Sequence, residues 1–150
     1  MRYIIASTLL LTACLAACQG ELPARPTAEI DVFPADDGPN YYCAFGVDGE
    51  DGFVFATLFD DPANRARMVF GGEELVLVPA EAPPAYDVAE QSILYAVENY
   101  PFYDVRLDLK RSGTEFEKTF FNGTVEMRDI TTPSAPEIIA SREFTGSCGV

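Results

Sequence analysis

An all-β fold, a small antiparallel barrel or sandwich of about eight strands closed by one disulfide, is the architecture this sequence predicts. Three observations carry it. After Asn40, clusters of aromatic and β-branched residues recur, broken roughly every 8 to 12 residues by Gly, Asp, Asn or Pro. Tyr103, Val105, Leu107 and Leu109 alternate with Asp104, Arg106, Asp108 and Lys110, giving one apolar and one charged face, the pattern of a sheet with one side in water. Cys43 and Cys148 stand near the two ends of this region, with neither a CxxC spacing nor a histidine to mark them as reactive thiols.

The chain opens with an apolar run from Tyr3 to Ala17 that follows Arg2 and breaks at Gln19-Gly20. A membrane-spanning helix needs roughly 20 apolar residues, so the run is too short to remain as a span. Its end, Leu15-Ala16-Ala17-Cys18, resembles the lipobox of bacterial lipoprotein signals. The resemblance implies removal of residues 1–17 as a signal peptide and lipidation of Cys18. Because Gln19 rather than Asp follows, it also implies an outer-membrane anchor on the periplasmic face. Leu11-Thr12-Ala13-Cys14 is a second, poorer lipobox, and plain secretion is the alternative. Each buried acyl methylene contributes about 0.8 kcal/mol, so two or more chains make a stable anchor. Cys14 then leaves with the signal and Cys18 carries lipid. Cys43 and Cys148 are left to form a disulfide in an oxidising compartment, worth about 4 to 5 kcal/mol in the chain-entropy model.

Residues 18–40 read as a flexible tether, interrupted by Pro23, Pro26, Pro34 and Pro39 around Asp36-Asp37-Gly38, with a reach of about 25 Å as a coil. Ile30, Val32 and Phe33 offer an alternative, an edge strand docked on the domain. Residues 41–150 form the β domain. Its strands are expected at Tyr41 to Phe45, Phe53 to Phe59, Arg67 to Phe70, Leu75 to Val78, Tyr103 to Lys110, Glu115 to Phe121, Thr124 to Ile130 and Ile138 to Thr145. Arg111-Ser112-Gly113 reads as a turn, and Asn122-Gly123 as a type I′ hairpin setting Phe120 opposite Val125 and Glu117 opposite Arg128. Asp87 to Glu98 fits a helix face about as well as a strand, with the lean toward strand over Ser92 to Val97.

Histidine is absent, which removes Ser-His-Asp and Cys-His nucleophile systems and imidazole metal sites. Carboxylates would have to carry any acid-base chemistry. With 24 of them, a pair at glycosidase spacing arises by chance. The chain is therefore expected to bind rather than catalyse, with no catalytic residue, metal or cofactor assigned. Loss of residues 1–17 removes one of ten basic residues and none of the 24 acidic ones, taking the formal charge from −14 to −15. That balance excludes a nucleic-acid binder and suits a cationic protein partner, although charge also serves solubility.

Asp48-Gly49-Glu50-Asp51-Gly52 offers hard oxygens of the kind calcium takes, but lacks the alternate acidic spacing of an EF-hand and reads as a hairpin turn. Phe59-Asp60-Asp61-Pro62 reads as a turn, with Arg65 and Arg67 pairing to Asp60 or Asp61. Tyr95, Tyr100, Phe102 and Tyr103 gather around Asn99 and Pro101. Tyr103 belongs to the apolar face of its strand, leaving Tyr95 and Tyr100 as candidate contact residues.

Tyr41-Tyr42-Cys43, a late Cys148, and Ser92-Ile93-Leu94-Tyr95 ahead of an aromatic strand together give an outline that resembles the membrane-bound inhibitors of C-type lysozyme. The resemblance implies an eight-stranded barrel, a basic lysozyme as target, and Ser92, Tyr95 and Tyr100 as contacts. The sequence departs from that family where Ile93 occupies the glycine position and Ser92 to Tyr95 is one residue short. It departs again where Phe102-Tyr103 replaces a tryptophan and where the region from Phe116 onward is longer. The leading reading is a lipid-anchored binding or envelope-structural module. A scaffold or assembly factor of an outer-membrane complex is the alternative from another class, and would need an exposed strand edge or apolar patch.

Overall fold

A computed structural model describes residues 28–35, 40–81 and 85–149. The lipobox, Cys18 and most of the expected tether lie outside the described residues. Nine strands and no helix occur among those described: β1 (Ile30–Asp31), β2 (Tyr41–Gly46), β3 (Phe55–Leu58), β4 (Ala66–Phe70), β5 (Glu73–Pro79), β6 (Glu90–Val97), β7 (Tyr103–Glu115), β8 (Lys118–Asp129) and β9 (Glu137–Cys148). The sheet runs β4-β3-β2-β9-β8-β7-β6-β5, and β5 pairs back onto β4, so eight antiparallel strands close into a barrel. β1 is an additional strand on β4, with Ile30 opposite Phe70.

Inward positions follow the period of two that a strand imposes. Val105, Leu107 and Leu109 of β7 are buried beside Met127, Val125 and Phe121 of the neighbouring β8, with Val105 paired to Met127 and Leu107 to Val125. At its centre Phe45 stacks on Phe144 at 4.7 Å and lies 6.1 Å from Phe55, whose ring meets Tyr95 edge-on at 5.3 Å. Aromatic pairs in these geometries are worth about 0.5 to 1.5 kcal/mol each beyond the area they bury.

Cys43 and Cys148 are directly opposite on β2 and β9, and are joined by a disulfide with Cα atoms 4.0 Å apart. The Cys43 amide also donates to Thr57 Oγ1 of β3 at 2.9 Å, so both neighbours of β2 are fixed at this level.

The barrel begins earlier than residue 41. Ile30 and Phe33 are buried, and the Phe33 amide and carbonyl exchange hydrogen bonds with Phe53. The rings of Phe33, Tyr41 and Phe53 meet edge to edge, with the Arg67 guanidinium 4.7 Å above Phe33. Residues 30–33, assigned to a tether ending at residue 40, are thus part of the folded unit. Burial of Ile30 and Phe33, with Val32 packed against the core, outweighed the flanking prolines.

Two expected turns are absent. Asn122-Gly123 lies in the middle of β8, which is one continuous strand, so Phe120 faces Gly113 and Val125 faces Leu107. Arg128 faces Asp104, not Glu117, and holds its carboxylate through two bonds of 2.7 Å. The signal that prevailed is the inward series Phe121, Gly123, Val125 and Met127, which stays in phase through the Asn-Gly pair. A Cβ on Gly123 would lie 1.9 Å from the Asp108 carbonyl oxygen, so glycine is present for close backbone approach. Arg111-Ser112-Gly113 is likewise a bulge within β7, and the hairpin turns at Phe116-Glu117.

Gly123→Ala is expected to destabilise the fold by about 2 kcal/mol or more through overpacking, read from the midpoint of urea unfolding. A change within experimental error would contradict the close approach. Replacing Cys43 and Cys148 together by Ser, or reducing the native bond, is expected to cost about 4 to 5 kcal/mol in the same measurement.

Candidate functional site

The three contact residues expected from the sequence do not converge. Ser92 and Tyr95 are three apart on β6, so they take opposite faces. Ser92 is exposed and accepts a hydrogen bond from Arg106 Nε at 3.1 Å. Tyr95 is fully buried in the core, and its role as a surface contact is corrected accordingly. Tyr100 lies in the β6–β7 connection, where its hydroxyl donates to the Glu73 carboxylate, an interaction that raises its pKa. The loop around residues 92–95 that the lysozyme-inhibitor outline requires is here a regular strand.

Strand directions place the Phe59–Arg65 connection, the β5–β6 connection, the β7–β8 turn and Gly149 at one end of the barrel. At this end Tyr42, Phe59 and Tyr86 form a ledge, Tyr42 lying 6.4 Å from Phe59 and 5.6 Å from Tyr86. Tyr86 reaches across the mouth to Phe121 on the far wall, at 6.4 Å. Tyr42 is the extra residue of a bulge between Tyr41 and Cys43, and a bulge at a barrel rim re-aims the side chain it carries.

The ledge borders a cavity of about 390 Å³, floored by Thr57 and walled by Asp60 and Asp61. Asp61 is committed to the loop. It accepts from the Ala63 and Arg65 amides and pairs with the Arg65 guanidinium at 2.7 Å, and that guanidinium chiefly holds its pKa down. Asp60, at φ +55°, has no ion pair among the described residues. A hollow with aromatic faces and a carboxylate not already neutralised is suited to an ammonium or guanidinium group, through cation–π attraction and charge. A second depression, about 480 Å³, runs along the outer wall over Asn122, Gly123 and Thr145. Among the described residues, Phe144 is the one aromatic residue that lines it.

The other charged motifs resolve as internal contacts. Glu50 pairs with Arg142, and Asp48 accepts from the Thr145 hydroxyl at 2.9 Å, so the acidic run at residues 48–52 is a turn pinned to β9. Arg67 pairs with Glu74, not with Asp60 or Asp61, and donates to the Tyr41 hydroxyl at 2.9 Å.

Beneath the ledge the phenols of Tyr86 and Tyr95 lie close together. Burial pushes the Tyr86 pKa up to about 12, against the neighbouring Tyr95 and Thr57 hydroxyls, which lower it. Burial also raises Tyr95, whose oxygen lacks a well-aligned hydrogen-bond partner among the described residues. The sequence reading missed Tyr42, Phe59 and Tyr86. Their common signal is position: each is an aromatic residue beside a predicted turn or strand end.

Comparison of the chain with protein-family models, with curated proteins and with solved structures finds no match.

Both buried phenols stay protonated in the fold above pH 10, the pH near which a solvated tyrosine ionises. Stability they contribute is therefore complete below that pH and lost above it, the Tyr86 share being gone past about pH 12. The thermal midpoint is expected to fall over this window in the native chain and to fall less in Tyr86→Phe and Tyr95→Phe. Equal slopes in all three would contradict the assignment.

Proposed function

We propose that this protein is a lipid-anchored binding module on the periplasmic face of the outer membrane. It engages a cationic protein partner through the aromatic mouth of its barrel and acts by binding, not catalysis. The observation that carries the reading is the Tyr42, Phe59 and Tyr86 ledge beside Asp60, an apolar and acidic surface at one rim of a strongly acidic chain. The ledge supplies area that is released from water on contact, and the carboxylate selects a basic side chain from the partner. The chain's formal charge of −14 adds a long-range field that speeds encounter with a basic protein. The lipobox supports the anchor, and the cross-strand disulfide suits an oxidising compartment.

Lysozyme inhibition loses the residues that would have carried it, because Tyr95 is in the core and Ser92 on the opposite face. A C-type lysozyme remains a useful basic probe. In titration calorimetry the purified chain is expected to bind such a protein, and the affinity to fall as salt rises from about 0.15 M to about 1 M, which shortens the screening length from about 8 Å to about 3 Å. Phe59→Ala and Asp60→Asn are each expected to weaken binding by about tenfold without lowering the thermal midpoint. Salt-independent binding, or unchanged affinity in both variants, would remove the mouth from the interface.

A further inference from the structure

We infer that Phe116, at the tip of the β7–β8 hairpin, is an insertion residue whose ring enters an apolar pocket of the cationic protein partner, an inference that rests on the reading above. Phe116 is 93% exposed, so its ring buries almost nothing in this fold. Its φ of +51° is one that a bulky side chain rarely adopts. It occupies the first central position of a two-residue turn between Glu115 and Lys118, where glycine would accept the same backbone without strain. The ring contributes no packing to the fold and the backbone disfavours it. What it offers is contact area to another molecule. The hairpin holds it clear of the barrel: residues 111–115 are exposed, Ser112 bulges out of register, and Phe120 lies with Phe116 along a shallow cleft.

Three observations choose the occupant. Glu115 and Glu117 bracket the ring against a single Lys118, a rim that complements a basic protein and is repelled by anionic lipid headgroups. The tip lies at the end of the barrel opposite the one where Ala28 lies beside Gly71, so the first described residues leave the ring uncovered. The tip is also continuous with the mouth. The Gly149 amide donates to the Tyr42 carbonyl at 3.0 Å, and a Cβ on Gly149 would lie 2.2 Å from the Glu117 carbonyl oxygen. Tyr42, Phe59, Asp60 and Phe116 therefore lie at the same end of the barrel, with Phe116 as its projecting point.

The test is made on the full chain in the cells that produce it. A photoreactive benzophenone amino acid is placed at position 116 or, as a control at the other end of the barrel, at position 138. Position 116 is expected to cross-link a protein with an excess of basic residues, and position 138 is not. Against that purified protein, Phe116→Ala is expected to weaken binding by roughly 30-fold. Phe116→Trp is expected to retain binding. Phe116→Gly is expected to lose it while keeping or raising the thermal midpoint, a separation that a merely structural residue would not show. Cross-linking to phospholipid or to an acidic protein, or to nothing, overturns the inference, as does an affinity of Phe116→Ala within about twofold of native. Vesicles of equal phosphatidylethanolamine and phosphatidylglycerol that bind the native chain but not Phe116→Ala would give the ring to a bilayer and overturn it too. If Phe59→Ala and Asp60→Asn weaken binding while Phe116→Ala does not, the tip inference alone falls. If no basic partner is found by either route, both fall.

Discussion

The barrel depends on one seam, where β2 meets β9. Every other neighbouring pair in the ring joins strands consecutive in sequence, whereas β2 and β9 are far apart, and the disulfide between Cys43 and Cys148 spans 105 residues. Ordering so long a loop costs conformational entropy, which the covalent bond removes from the unfolded chain. The same seam carries Phe45 against Phe144, so the aromatic centre of the core forms where the first long strand and the last come together. The Thr57 contact to Cys43 and the floor of the mouth cavity are both set at this level. Without the seam there is neither a closed interior nor a rim on which to display the ledge.

Much of the fold was legible because the core is built from strict alternation. Tyr103 to Lys110 shows it openly, and the strands around Phe45, Met68 and Leu77 have the expected aromatic and aliphatic character. Register was harder to read. Asn122-Gly123 has the local chemistry of a hairpin turn, but glycine serves equally where two backbones crowd, and only the in-phase series from Phe121 to Met127 separates the two uses. Phe116-Glu117 carries none of the residues a tight turn favours, so nothing local announced it.

The candidate surface was less legible than the fold. Tyr95 and Tyr100 attracted attention because tyrosine is common in recognition surfaces, yet burial on β6 and a bond to Glu73 absorb them. Tyr42 gave only the signal of its place near a strand end, since its outward placement depends on a bulge that no local pattern marks. Tyr86 joins the site only because the β5–β6 connection folds it over Phe121 on the opposite wall. Long-range closure creates such juxtapositions, and a single sequence does not encode them in any local pattern.

The exposed turn at Phe116-Glu117 divides the chain so that Cys43 falls on one side and Cys148 on the other. Projecting loop tips are where proteases cut first. A nick here would yield two pieces still joined through sulfur, with β9 held between β2 and β8. Such a clipped molecule would keep its barrel outside the cell's reducing interior and separate only after a reductant reached the bond.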